Sequence, residues 1–320
     1  MPKKKITFKH RLEYSGFMIF VLLIKLSPLF LVRFNQKLLG FLLGKIGKKY
    51  PGIVAKNLNI AFPHYSAGEI AQLSEAIYRH FVSILIEMIV IFVKKRPGKI
   101  LKPIEILHPE VLEQALAKHK GVILFSGHFG NWELVPFILS RKLNRKINSI
   151  ARKMDNPLVE KKVKQFREYM GSCVIDKQNA IRTILKRLEN NEIVYLLMDQ
   201  NTIAREAVFV DFFGEKASVV ASVSQLHLKR AIPLIPVFLH YEQDKIVLEL
   251  LEEIDTGAGE SGKKEEKEEK MVRLTQQCTS IIEAKVRKYP EQWFWLHNRW
   301  KTRPPQEKNS ANGERVKKEG

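Results

Sequence analysis

Between residues 100 and 250 short apolar runs alternate with amphipathic stretches, and nothing else in the chain narrows its possible folds as far. "ILKPIEILHPE" (100–110) reads as a strand and a turn, and "EVLEQALAKHKG" (110–121) as a helix closed by Gly121, the expected C-terminal glycine. A strand over 122–126, a corner at 127–131 and a helix to about residue 142 follow. "INSIARKMDNP" (147–157) is a strand entering a loop, "LVEKKVKQFREYMG" (158–171) a helix ended by Gly171, and "SCVIDK" (172–177) a short strand. "NAIRTILKRLENNE" (179–192) is a helix, "IVYLLMDQN" (193–201) a strand, "SVVASVSQLHLKRA" (218–231) a helix, and residues 233–254 two strands. This rhythm predicts an α/β fold: a mixed, mostly parallel central sheet flanked by helices.

The N-terminal end obeys different rules. Six basic residues, His10 included, lie between Lys3 and Arg11. An apolar run, "GFMIFVLLIKLSPLFLV" (16–32), follows and is close to the roughly 20 residues needed to cross a bilayer. Lys25 and Pro28 interrupt it: a charge at the bilayer centre costs on the order of 3 kcal/mol, and proline kinks a helix. No small-residue cleavage site follows. Residues 1–45 therefore read as a retained basic membrane anchor, either spanning once or lying in the interface; the alternative is a buried N-terminal core helix, which the basic flank opposes. Ser66 and Glu69 form a capping box that opens a long helix, about 67 to 93, apolar on one face. Residues 46–303 read as one catalytic domain and residues 304–320 as a disordered polar tail.

The corner carries the chemistry. In "GHFGNWE" (127–133) His128 stands at the end of a strand and the start of a helix, where α/β sheets place ligands, and Gly127 and Gly130 let the backbone turn. A carboxylate beside an imidazole fixes its tautomer and stabilises its protonated form. Glu133, in the first helical turn, is a candidate for that role. Residues five apart on a helix point about 140° away from each other, so the two meet only if His128 folds back over the helix start. Asn131 caps this helix or touches substrate. The spacing is not that of a zinc protease, no G-x-S-x-G elbow occurs, and no serine or cysteine nucleophile stands beside His128. General-base chemistry on a substrate hydroxyl is what remains, with a core histidine as the competing reading.

"GHFGNWE" resembles the H-x4-D/E signature of glycerolipid acyltransferases, in the form found in bacterial lipid A biosynthesis acyltransferases. Three further blocks are similar in order: "ARKMDNP" (151–157) with "QFREYMG" (165–171), "LLMDQN" with "AVFVDFFGEKASV" (196–219), and "YPEQWFWLHNRWKTRP" (289–304). The resemblance, over roughly residues 10–304, implies the glycerolipid acyltransferase-like fold. It also implies that His128 takes the proton of an acceptor hydroxyl as that oxygen attacks an acyl thioester, with Glu133 orienting His128. Arg152 and Arg167 become candidates for binding the anionic lipid or for stabilising the oxyanion, or else are surface residues of a basic chain. Asp199 ends an apolar strand, near the site or capping a turn. The resemblance implies acyl carrier protein as donor, a lipid A precursor as acceptor, the cytoplasmic face of a bacterial inner membrane, and neither metal nor organic cofactor. "DFFG" (211–214) reads as a structural turn with core phenylalanines, and the tryptophans of "EQWFWLHNRW" as packing a C-terminal strand against the sheet, with lining of a lipid groove as the other reading.

Composition selects less than these patterns do. Lysine and arginine number 54 against 34 acids, a formal charge of +20 and a pI near 9.8. Such a surplus fits an anionic membrane, an acidic protein or a nucleic acid. The nucleic-acid class has only the charge behind it: no helix-turn-helix placement, zinc spacing or aromatic RNA-binding motif is present. Another glycolipid or phospholipid as acceptor stays open, because the signature does not read the acceptor. Cys173 and Cys278 supply neither a metal spacing nor a disulfide framework.

Overall fold

The computed structural model describes residues 6–28, 31, 49–95, 101–151, 154–176, 180–255 and 264–305. Most of the expected 304–320 tail and the stretch between the N-terminal helix and residue 49 lie outside the described residues. Helices α1 (Phe8–Leu26), α2 (Lys49–Ala61) and α3 (Ala67–Lys94) precede the alternating region. That region runs β1 (Ile104–Leu107), α4 (Pro109–Leu116), β2 (Val122–Ser126), α5 (Leu134–Leu143), β3 (Ile147–Ala151), α6 (Pro157–Tyr169), β4 (Ser172–Asp176), α7 (Ala180–Glu189) and β5 (Ile193–Leu197). After it come β6 (Ala207–Phe212), β7 (Glu215–Val220), α8 (Ser222–Arg230), β8 (Leu234–Tyr241), β9 (Ile246–Leu250) and α9 (Lys264–Lys288).

Seven strands form one mixed sheet in the order β1-β9-β8-β2-β5-β3-β4, and only the β8–β9 pair is antiparallel. The expected mostly parallel sheet flanked by helices is the observed one. Every residue of β2 is buried, the pattern of a strand covered on both faces. Ile123 and Phe125 face one core, with Leu234, Phe238 and Trp293; Val122 and Leu124 face the other, with Leu134, Phe166 and Leu239.

The helix expected over 218–231 begins only at Ser222, because residues 215–220 pair with 207–212 as a hairpin. Its turn holds Phe213 and Gly214 at φ 55° and 79°, the doubly left-handed turn that normally announces itself as Asn-Gly. A phenylalanine at positive φ hides that signal; its ring is buried near Phe62 and Trp295. The "DFFG" segment is thus a turn with core phenylalanines. Ser66 and Glu69 do form the capping box of α3. Among the described residues α3 is the one helix long and apolar enough, by length and composition, to cross a bilayer.

Candidate active site

Strands β2 and β5 are parallel neighbours with Ser126 level with Leu197. Two residues beyond each strand end, the same register sets position 128 beside position 199. His128 Nδ1 lies 2.6 Å from Asp199 Oδ1, and the His128 backbone N–H donates to Asp199 Oδ2 at 2.7 Å. Trp293 Nε1 donates to the same Oδ2 at 2.7 Å. Burial opposes ionisation of Asp199, but the His128 ring, the two N–H donors and the imidazole bond outweigh it and hold the carboxyl down at about 2. An ionised carboxylate can only accept, so Nδ1 carries the hydrogen, and in the neutral imidazole the lone pair is left on Nε2. Gln200 Nε2 lies 3.2 Å from that nitrogen. The His128 side chain is 17% exposed and Asp199 3%, so the imidazole is open to solvent and its partner is not.

Glu133, expected beside His128, is placed elsewhere. It is the N-cap residue of α5, and among the described residues its carboxylate bonds to Arg167 instead. Arg167 Nε donates to both oxygens at 3.1 Å and Nη2 to Oε1 at 2.6 Å, a fork on a carboxylate. The corner sends His128 toward β5 and Glu133 toward α6, so the sequence-adjacent carboxylate loses the imidazole to one that lies 71 positions away. Arg167 is in the last turn of α6 and is partly exposed, with Nη1 outside this fork.

Asn131, expected at the substrate or the helix cap, is fully buried and donates from Nδ2 to Glu87 Oε2 on α3 at 2.7 Å. Tyr241 O–H donates to the same carboxylate oxygen. Burial raises the Glu87 carboxyl. Asn131 therefore ties the back of the corner to α3 and, through Glu87, to β8. Arg152 lies outside the described residues.

The C-terminal block, expected to pack, frames the site as well. It forms no strand of the main sheet: a short 3-10 turn, Pro290–Gln292, leads into a segment that runs antiparallel past the corner, with Phe129 bridged to Trp293. Gly130 N–H donates to Gln292 O at 2.8 Å and Phe294 N–H to His128 O at 3.0 Å. His297 Nε2 accepts from Asn201 N at 2.8 Å, and Thr302 Oγ1 accepts from Asn201 Nδ2 at 3.0 Å. Asp199 thus stands on a loop held from both sides. Trp132 and Phe294 pack edge-on and tilted against the His128 ring, centroids 5.1 and 6.1 Å away, and give the mouth an aromatic wall. Sequence reasoning misses Trp293, Gln292 and His297 as site residues; their clustering in one short polar-aromatic block is the available signal.

Among the described residues no group of three or more His, Cys, Asp or Glu side chains is placed to hold a metal ion. The arrangement offers a proton acceptor at Nε2, a buried counter-charge behind it, and a fixed guanidinium on a neighbouring helix.

A sequence profile described as "Bacterial lipid A biosynthesis acyltransferase" matches residues 1–302. The lipid A biosynthesis acyltransferase of Haemophilus influenzae is 25% identical over 295 residues, covering 91% of this chain and 89% of that protein. The lipid A biosynthesis lauroyltransferase of Escherichia coli K12 is 25% identical over 287 residues, covering 83% and 85%. The phosphatidylinositol mannoside acyltransferase of Mycolicibacterium smegmatis is 23% identical over 207 residues, covering 63% and 64%.

Proposed function

The chain belongs to the bacterial lipid A biosynthesis acyltransferase family, and from that premise we propose that it moves a fatty acyl chain from acyl carrier protein to a hydroxyl of a lipid A precursor. The activity class is acyl transfer to a glycolipid; the donor, the acceptor and the roles of the residues are the proposal. The reaction belongs at the cytoplasmic face of the bacterial inner membrane, where a basic protein meets both anionic lipid and an acidic carrier.

His128 is the general base. Nε2 takes the acceptor hydroxyl proton as that oxygen bonds to the thioester carbonyl carbon. Asp199 stabilises the imidazolium that forms and holds its tautomer. The tetrahedral intermediate collapses, the carbon–sulfur bond breaks, and His128 returns the proton to the departing sulfur. Gln200 must yield Nε2 to the incoming hydroxyl. Arg167, stiffened by Glu133, receives an anionic group of the lipid, and Arg152 stays a candidate for the same charge. The observation that carries this reading is the His128–Asp199 contact at the end of two adjacent strands, with no nucleophile needed.

The test uses purified full-length protein, labelled acyl chains on acyl carrier protein, and tetra-acylated lipid A precursor. His128→Ala is expected to lose at least about a hundredfold in turnover, the lower end for a general base. Undiminished turnover in that variant ends the assignment. Transfer from acyl-coenzyme A but not from the carrier overturns the donor. A second acceptor is supported by the similarity to the mycobacterial phosphatidylinositol mannoside enzyme; transfer to that glycolipid and not to lipid A precursor overturns the acceptor.

A further inference from the structure

Helix α1 has two opposed faces. With about 100° per residue, Phe8, Leu12, Ile19, Leu22, Leu23 and Leu26 fall within an arc of about 100° on one side. All six are exposed, Phe8 by 82% and Leu26 by 72%. On the other side Val21 and Ile24 are buried, and Ile24 packs with Val82, Ile86 and Val90 of α3. Both ends of the helix are fastened to the body. Lys94 Nζ, in the last turn of α3, donates to Lys25 O at 3.1 Å and Ser27 O at 2.9 Å. Near the other end the side chain of Asn156 donates from Nδ2 to His10 O at 2.8 Å and to Glu13 Oε2 at 2.9 Å.

Asn156 is also the N-cap of α6: its Oδ1 accepts from Leu158 N at 3.0 Å and Val159 N at 3.4 Å. One largely buried amide therefore joins α1 to the helix that carries Arg167 at its far end. We propose that α1 lies in the plane of an anionic lipid surface, and that Asn156 is the pin that transmits this seating to α6 and so positions the Glu133–Arg167 pair. The exposed stripe needs an apolar cover, and the basic run from Lys3 to Arg11, adjacent to it in sequence, selects an anionic one. A crossing helix is disfavoured because the bonds from Asn156 to α1 would draw the start of α6, with Glu160, Lys161 and Lys162, into the bilayer with it. The positioning role rests on the acyl transfer proposed above; the seating of α1 does not.

Two measurements on the full chain separate these parts. In a background of Cys173→Ser and Cys278→Ala, nitroxides at Leu12→Cys and Leu23→Cys are read by power saturation in phosphatidylglycerol–phosphatidylethanolamine vesicles. Equal shallow depths are expected, within about 10 Å of the headgroups. Depths differing by about 16 Å, the rise of eleven helical residues, overturn the in-plane placement. Spin–spin coupling between copies, without lipid contact, overturns it in favour of a second copy. Asn156→Asp then keeps the cap but removes both donated bonds. It is expected to bind vesicles and to stay folded, with a modestly lowered urea midpoint, while turnover of vesicle-borne acceptor falls about tenfold. Adding Glu13→Gln to that variant returns a donor to the pair, now from the α1 side, and is expected to restore most of the turnover. Undiminished turnover in Asn156→Asp, or no recovery with Glu13→Gln, overturns the pin. Wild type that transfers no acyl chain to any glycolipid refutes the acyl-transfer reading and leaves the depth result standing.

Discussion

His128 Nδ1 and Asp199 Oδ1 meet at 2.6 Å across two parallel strands, and that contact, rather than the one between His128 and Glu133, fixes the imidazole. Asn at position 199 would keep the shape and lose the charge. It would also turn an amide N–H₂ toward donors, leaving at least one of His128 Nδ1, His128 N and Trp293 Nε1 unpaired or the imidazole in its other tautomer. Asp199→Asn is expected to lower turnover by between about a hundredfold and ten thousandfold with acceptor binding retained. Steady-state kinetics with vesicle-borne acceptor check this; a loss confined to KM would contradict it.

The same carboxylate makes stability depend on acid. Asp199 is held at about 2 against an ordinary 3.8, a folded-state pKa lowered relative to the unfolded chain. Its contribution is therefore complete above about pH 4 and fades as pH falls toward 2. That lowering corresponds to about 2 kcal/mol. Urea unfolding of wild type and Asp199→Asn at several pH values is the measurement. The gap between them should shrink by about that amount from pH 6 to pH 2; a gap independent of pH would show that Asp199 is not held ionised by the fold.

Glu133 and Arg167 should act as a unit. Lysine cannot reproduce the fork, and glutamine leaves a largely buried guanidinium without its counter-charge. Glu133→Gln and Arg167→Lys are each expected to reduce kcat/KM for the anionic acceptor by about tenfold or more, a charged hydrogen bond being worth about 1.5–3 kcal/mol. The double variant should be no worse than the weaker single one. Strictly additive losses would mean that the two residues serve separate steps.

These pairings show where sequence stops informing. The strand–helix rhythm is local, so the sheet and its burial are legible in alternating apolar runs. The corner at His128 is local too, since glycines on either side of a histidine at a strand end mark a backbone near a ligand. The partner of His128 is not local. That β5 lies beside β2, with β3 and β4 beyond it, is a matter of strand order, which the apolar pattern of each strand does not encode. Glu133 is the nearest carboxylate in sequence, and proximity along the chain points to it; Asp199 is visible only as the end of an apolar strand. Trp293 reads as packing, and its ring does pack, but its indole N–H also holds Asp199. An amphiphilic side chain can serve both roles, and periodicity reports only the apolar one.

The two glycines of the corner should fail in different ways. Gly130 sits at φ +54°, and a Cβ there would lie 1.9 Å from Leu239 O in β8. Neither the left-handed backbone nor the strand can give way, so Gly130→Ala is expected to cost at least about 3 kcal/mol and to appear as a lowered urea midpoint or as insoluble protein. Gly127 is not in the left-handed region. A Cβ there would meet Asp199 Oδ2 at 3.0 Å and Ile282 Cγ2 at 3.1 Å, contacts that a shift of a few tenths of an ångström relieves. That shift moves the carboxylate that holds His128. Gly127→Ala is therefore expected to cost no more than about 2 kcal/mol in stability yet to lower turnover by about tenfold or more, since small misplacements of catalytic groups are costly. If Gly127→Ala lost stability and turnover in the proportion seen for Gly130→Ala, the glycine would serve the fold alone. If it lost neither, the position of Asp199 would not matter to the rate.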